Sequence, residues 1–473
     1  MKDARRGLVP GNTKASTPTQ PLPSMRRAST VEVSSSPNTR SSPKRPTAPK
    51  VQPAKTWPET GKIEIASNGD LVLDLEHAQS DVIKESGLPL RCSYRVQSSL
   101  LKKASPYFQN LLDPSKFAEG AVVAEKHETL REAYGTMDAV PSEALPKVLI
   151  EDVGRISHVK NIRLLMADFF SILHAGELTV MPPPLANIAN LVIVADRFDA
   201  LPTMRQFFKS RKLMHMLDSK TQDRTMKGAP EERVRQKLLV GLLLDNPSWV
   251  WNSSLRLIQR GWVGREIAEG TPLWWDMPMG IEDELLCRRE YILDTIQSLQ
   301  SHFLGIYTSR DRQCKLGYDS SAECDSYQLG QMVRFFKRVG TLSLAGTLLP
   351  PAEDELPLES FDGEIANLVE QLRQCPEYQI DKNHSHCGLR TRLMPLLDLI
   401  ELSLSEVGIC THCWQECRHE YAWKHVKRPL VWRRDSAGAG MYAAFKDRGA
   451  QSHLAKHLDT RDLFMAKDRL WTV

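Results

Sequence analysis

The stretch YRVQSSLLKKASPYF, Tyr94–Phe108, decides how this chain is read. Tyr94 and Val96 alternate as one face of a strand. Leu100, Leu101, Ala104 and Phe108 then recur at three-to-four spacing, the period of a helix. Ser105-Pro106 falls inside that helical run. A strand, a short helix and a Ser-Pro-aromatic step leave two readings of Ser105: a group that does chemistry, or part of a scaffold.

The flanking sequence favours a scaffold. KIEIASNGDLVLDLEHA (Lys62–Ala78) alternates Ile63/Ile65, meets an Asn-Gly hairpin signal, and alternates again at Leu71, Leu73 and Leu75. GLPLRCSYRV supplies a further strand, and KVLIEDV a short buried one. AVVAEKHETLREAYGTMDAVPSEALP, between them, is polar and lacks a sustained period, so it reads as a loop insertion over about 120–145. NIRLLMADFFSILHAGEL predicts a helix with Leu164, Leu165, Ala167, Phe169, Ile172 and Leu173 on its apolar side. PPPLANIANLVIVADRFDALPTMRQFFKSRKL predicts two more. Strands interleaved with helices in this way give an α+β fold, a small mixed sheet with packed helices.

GDLVLDL, YRVQSSLLKKASPYFQNLL, FAEG, LPKVLIED, FFSILHAGEL and LANIANLVIVADRFDAL, in that order, resemble a BTB/POZ domain, and most of all its fungal branch. The likeness covers roughly residues 66–205. It rests on Asp70 opening a strand, Tyr94 and Val96 on the next, Ser105 and Phe108 at the helical turn, Gly176 at a helix end, and Ala195-Asp196 near the close. His174 stands where a Tyr is usual, and Gln97-Ser98 where many members carry His-Arg or His-Lys. The resemblance implies a module that self-associates or docks a protein partner. It gives Ser105 the part of a helix-terminal hydroxyl and Phe108 that of a core residue.

The sequence then divides as a Ser/Pro/basic tail over 1–60, the BTB/POZ-like module over 62–205, a helical extension over 206–262, a helical C-terminal domain over 280–430, and a basic, partly ordered tail over 431–473. The extension rests on EERVRQKLLVGLLLDNPSWVWNSSLRLIQRGW and the C-terminal domain on four further periodic stretches beginning at Asp283. Eleven Lys/Arg against two acidic residues make residues 1–58 +9, so the rest carries −5 of the net +4. The folded part is therefore mildly acidic, and the basic balance gives no nucleic-acid face. Ten prolines and eight serines leave residues 1–58 too little apolar surface to offset ordering, so this tail is expected to be disordered. Within it, Ser29 follows Arg26-Arg27 and Ser42 precedes Pro43, the two candidate phosphorylation sites.

Enzyme signatures are not found: no phosphate-binding glycine loop, no G-x-S-x-G, and in HEYAW Trp423 stands where a zinc protease needs its second His. The dense cluster is C-terminal. HSHCG offers His384, His386 and Cys387, and GICTHCWQECRHE offers Cys410, His412, Cys413, Cys417 and His419. Cys410-x2-Cys413 has the bite of a zinc knuckle, and Cys387 with His386 or His384 could supply the second pair. Three readings stand: a structural zinc on His386, Cys387, Cys410 and Cys413, with Cys417 an alternative fourth ligand; buried thiols; or a redox CxxC. Cys314 and Cys324 read as core thiols.

These observations predict a non-enzymatic protein–protein interaction protein. The alternatives are a substrate adaptor of a cullin-RING ubiquitin ligase and a transcriptional regulator. The expected partners are proteins, with a cullin among the candidates and a weak homodimer or a monomer in solution, because a proline-rich segment precedes Ile63. Membrane is not an expected partner, since no apolar run approaches the roughly 20 residues of a spanning helix. Nucleic acid is not one either, since no RNA- or DNA-binding motif frames the aromatic-plus-basic WKHVKRPLVWRR, Trp423–Arg434. Nine cysteines, an odd and unevenly spread number, point to reduced thiols in cytoplasm or nucleus.

Overall fold

The computed structural model describes residues 61–77, 90–220, 228–268, 270–317, 319–342, 361–426, 431–433 and 453–471. Ser29 and Ser42, with the whole 1–60 tail, lie outside the described residues. The chain is mixed: a small sheet and many helices. Strands β1 (Ile63–Glu64), β2 (Leu71–His77), β3 (Leu90–Val96) and β4 (Lys147–Ile150) form one sheet in the order β1-β3-β2-β4. β2 and β3 are antiparallel with Leu73 opposite Tyr94, while β4 runs parallel to β2.

Alternation sets the two faces of this sheet. Leu71, Leu73, Leu75, Cys92, Tyr94, Val96, Val148 and Ile150 all turn to the main core. On the other face Val72 is buried with Val140 and Leu145, Ser93 donates to Asp74 at 2.6 Å, and Leu149 is exposed. The Asn-Gly step does not close a hairpin. β1 pairs parallel with β3, so β1 and β2 flank β3 on opposite sides. The end of β3 directs this: the Arg95 carbonyl takes the Ile65 N–H at 3.0 Å and the Val96 carbonyl takes that of Asp70 at 3.1 Å. Gly69 is needed at the crossing, because a Cβ there would lie 2.7 Å from the Val96 carbonyl oxygen.

Helices α1 (Ser98–Ala104) and α2 (Pro106–Leu111) follow, and Ser105 explains the break between them. Its extended backbone ends α1. Its hydroxyl oxygen accepts the Phe108 N–H at 3.2 Å and donates to the Phe198 carbonyl at 2.6 Å. Asp70 holds the start of α1, accepting from the Ser98 N–H at 2.7 Å and its hydroxyl at 2.6 Å. Phe108 is fully buried and stacks on Phe198 at 5.3 Å between centroids.

The stretch expected as a loop insertion is instead helix α3 (Ala118–Tyr134), followed by a short 3-10 turn. Periodicity missed it because its buried seam is narrow: Gly120, Val123 and His127 alone are buried. Its Ala, Glu, Lys and Arg are strong helix formers, which carry a helix that packing barely needs. Gly120 sits against the Asp113 backbone, and His127 Nε2 meets the Asp70 carbonyl at 2.8 Å.

Helices α4 (Ile162–Leu173), α5 (Leu185–Arg197), α6 (Leu201–Ser210) and α7 (Leu213–Lys220) complete the N-terminal half. Residues 188–195 of α5 are buried without a break, so α5 is covered all round. The cover is α8 (Glu231–Leu243), which packs on both α5 and α9 (Pro247–Arg260). The long α10 (Ile281–Thr308) then contacts α9, α11 (Ser321–Val339) and the C-terminal helix. Helices α12 (Ile365–Arg373), α13 (Leu389–Leu404), α14 (Thr411–Glu416) and α15 (Arg418–Tyr421) precede it. The region 431–473 supplies β5 (Val431–Arg433), that last helix α16 (His453–Met465), and β6 (Asp468–Leu470), parallel to β5. One buried apolar cluster runs from Ile63 to Trp471. No described helix is long and apolar enough to cross a membrane.

Candidate metal centres

Most of the residues on which the sequence resemblance rests make structural contacts. The Tyr94 hydroxyl donates to the Arg163 carbonyl at 3.0 Å and its ring packs 5.1 Å from Phe170. Val96 and Ala195 are fully buried. The Gly176 N–H donates to Ser171 O at 2.7 Å as α4 ends, and Asp196 is exposed near the end of α5. His174 bridges α4 to the start of α1, bonded to the Phe170 carbonyl at 2.8 Å and accepting the Gln97 N–H at 3.0 Å.

Among the described residues, two groups of side chains could hold a metal ion, and both lie in the C-terminal half. The first is Cys314, Cys324, His384 and Cys387. Cys314 comes from the loop after α10, where its N–H donates to Asp325 at 2.9 Å. Cys324 sits in the first turn of α11. His384 ends a 3-10 turn that Asp381 caps, and Cys387 immediately precedes Gly388, the N-cap of α13. Cys314 Sγ lies 3.7 Å from Cys387 Sγ and 3.4 Å from His384 Nδ1, and Cys387 Sγ is 4.0 Å from that nitrogen. The other ring nitrogen of His384 meets Ser320 Oγ at 2.9 Å, which fixes the ring.

The second group is Cys410, Cys413, His453 and His457. Cys410 is the N-cap of α14 and Cys413 its third residue. His453 and His457, four apart on α16, share one helix face. Cys410 Sγ lies 3.1 Å from His453 Nε2, and the two His Nε2 atoms are 3.3 Å apart. A buried ion pair positions this knuckle. Glu284 and Arg288, one turn apart on α10, meet at 2.8 Å with both side chains 1% exposed. Glu284 accepts the Trp423 N–H, while Arg288 donates to the Val407 and Gly408 carbonyls and to the Tyr421 hydroxyl. That hydroxyl takes the Cys410 N–H at 2.8 Å. Gly408 is required where the chain crosses Trp251, whose ring a Cβ would meet at 2.9 Å.

No family model, curated protein or solved structure matches this chain. The geometry therefore speaks for the site.

The expected set His386, Cys387, Cys410 and Cys413 does not come together: Cys387 falls in the first group, Cys410 and Cys413 in the second, and His386 in neither. Cys387 joins Cys314 and Cys324, which had read as core thiols. His386, at φ 68°, is exposed, and it is His384 that turns inward. The i,i+3 step from 384 to 387 around one turn brings those two side chains together. Cys417 closes α14 and belongs to neither group. Cys410 and Cys413 do pair, but their partners lie on the C-terminal helix.

The electrostatics suit a bound cation. Burial pushes the Cys324 thiol up to about 12, helped by the neighbouring sulfurs, and burial likewise raises Cys413 to about 12. Burial also opposes ionisation of Cys314, but hydrogen bonds from Ser321, the Leu316 N–H, Cys387 and His384 outweigh it and bring that thiol down to about 7. Burial, then His453 and Arg288, lowers His457 to about 4. Thiolates crowded together repel one another, and a cation among them reverses that. Each set has four donors on elements that other contacts hold in place, the arrangement of a closed structural site.

Proposed function

We propose that the chain is a non-enzymatic protein-interaction scaffold whose N-terminal half is a BTB/POZ-type module. The observation that carries this reading is the break at Ser105. A buried hydroxyl caps α2 and ties it to the end of α5, in the place where the sequence resemblance puts a helix-terminal Ser. The sheet order, the paired helices after β3 and the helices after β4 support it further. Asp70, Tyr94, Val96, Phe108, Gly176 and Ala195 all make packing or backbone contacts, which suits a module that presents a surface. In the same reading the cofactor is structural zinc. Thiolate and imidazole donors in closed fours favour it over hard oxygen-seeking cations.

The test is purification of the tagged full chain from cells that express it, with light scattering on the purified chain. A stoichiometric protein partner, or a dimer that dissociates on dilution, supports the reading. Co-purification of a cullin would specify the ligase-adaptor role. DNA binding that weakens steeply with salt would instead specify the transcriptional one. A chain that stays monomeric at high concentration and recovers no partner would overturn the proposal.

A further inference from the structure

We propose that the chain holds two zinc ions: one in a Cys3His site of Cys314, Cys324, His384 and Cys387, and one in a Cys2His2 site of Cys410, Cys413, His453 and His457. The second ion fastens the C-terminal helix α16 to the helical core. The proposal rests on the structural-zinc reading above and adds the number of ions, the ligand sets and the separate task of each.

Distances carry it. Tetrahedral zinc, with sulfur at about 2.3 Å and nitrogen at about 2.0 Å, sets two sulfurs roughly 3.8 Å apart, sulfur and nitrogen roughly 3.5 Å, and two nitrogens roughly 3.3 Å. The separations here are 3.7 Å for Cys314–Cys387, 3.4 Å for Cys314–His384, 3.1 Å for Cys410–His453 and 3.3 Å for His453–His457. All four ligand atoms of each group lie within 4.8 Å of one another. Both sets are complete without borrowing from each other.

The two sites do different work because of what they join. The Cys3His donors come from the loop after α10, the first turn of α11 and the turn before α13, with three of the four buried. This ion knits neighbouring helix ends within the core. The Cys2His2 donors come from α14 and from α16, which are 36 residues apart between Thr411–Glu416 and His453–Met465 by their facing ends. Closing so long a connection costs conformational entropy, which ligation offsets. His453 is the exposed member of that set, so its removal tests the ion with little loss of packing.

Metal released from the full chain on denaturation, purified without added metal, is expected at two zinc per chain. His453→Ala is expected to lose one equivalent, with hydrogen exchange across residues 453–471 rising about tenfold or more. Cys387→Ser is expected to lose the other equivalent. Cobalt loaded into His453→Ala should retain the stronger thiolate charge-transfer band of a three-sulfur site, which reads the remaining ion even where Cys387→Ser fails to fold. No zinc in the natural chain would overturn both this proposal and the structural-zinc reading. A single zinc lost in both variants would overturn the two-site assignment and leave structural zinc standing. Two zinc ions with α16 equally protected in His453→Ala would overturn the fastening role.

Discussion

Ser105, which the sequence resemblance casts as a helix-terminal hydroxyl, has both its capacities used: it caps α2 and donates to the Phe198 carbonyl. Ser105→Ala is expected to cost about 1–2 kcal/mol, the usual loss of a helix cap, and urea melts would show it as a lower midpoint at unchanged slope. Phe108, enclosed by Tyr107, Phe170 and Phe198, is a heavier loss. Phe108→Ala should cost about 3–5 kcal/mol, as truncations of core aromatics do. A loss under about 1 kcal/mol would mean the ring lies outside the core. Arg288 was not legible at all, since nothing in EDELLCRREY marks that both Arg288 and Arg289 are buried. Its guanidinium stacks on Tyr421 and Trp423 and holds the loop that presents Cys410. Arg288→Met leaves Glu284 charged and buried without its cationic partner, so it should destabilise by about 3–5 kcal/mol. Replacing Glu284 as well, by Leu, should recover part of that loss.

Among the elements, strands and apolar helices were legible because burial writes a period of two or 3.6 into them. β2 alternates at Leu71, Leu73 and Leu75, and α5 follows its apolar run. The readings that failed had weak or non-local signals. α3 carries only a thin buried seam, so its sequence looked like a loop. Its amides should exchange faster than those of α5, and equal protection in both would contradict the narrow-seam account. The metal groups were half legible. A short CxxC spacing is visible in sequence. The partners of Cys410 and Cys413 lie about forty residues on, in a region whose basic, small-residue composition masked HLAKH, His453–His457. The match of Cys314 and Cys324 with His384 and Cys387 depends on how α10, α11 and α13 meet, which no local pattern reports.

For the whole molecule, the continuity of the core decides what can be separated. α8 packs on α5, and Arg155 in the N-terminal half bonds Asp276 beyond α9 at 2.8 Å. A fragment of residues 61–220 would leave α5 partly uncovered and should aggregate or melt well below one of residues 61–262. Equal melting temperatures would show that the extension contributes nothing. The C-terminal half brings together two Cys/His groups that could hold a metal ion, and with zinc bound its integrity is expected to depend on metal and on pH together. Protons compete with the ion for thiolates and imidazoles, so acid or a strong chelator should loosen residues 453–471 before the sheet melts. The most direct measurement is zinc-edge X-ray absorption on the full chain as purified. The predicted average environment is five sulfurs and three nitrogens shared by two ions, with sulfur at about 2.3 Å and nitrogen at about 2.0 Å. A chain without zinc, or zinc surrounded by oxygen and nitrogen alone, would contradict it.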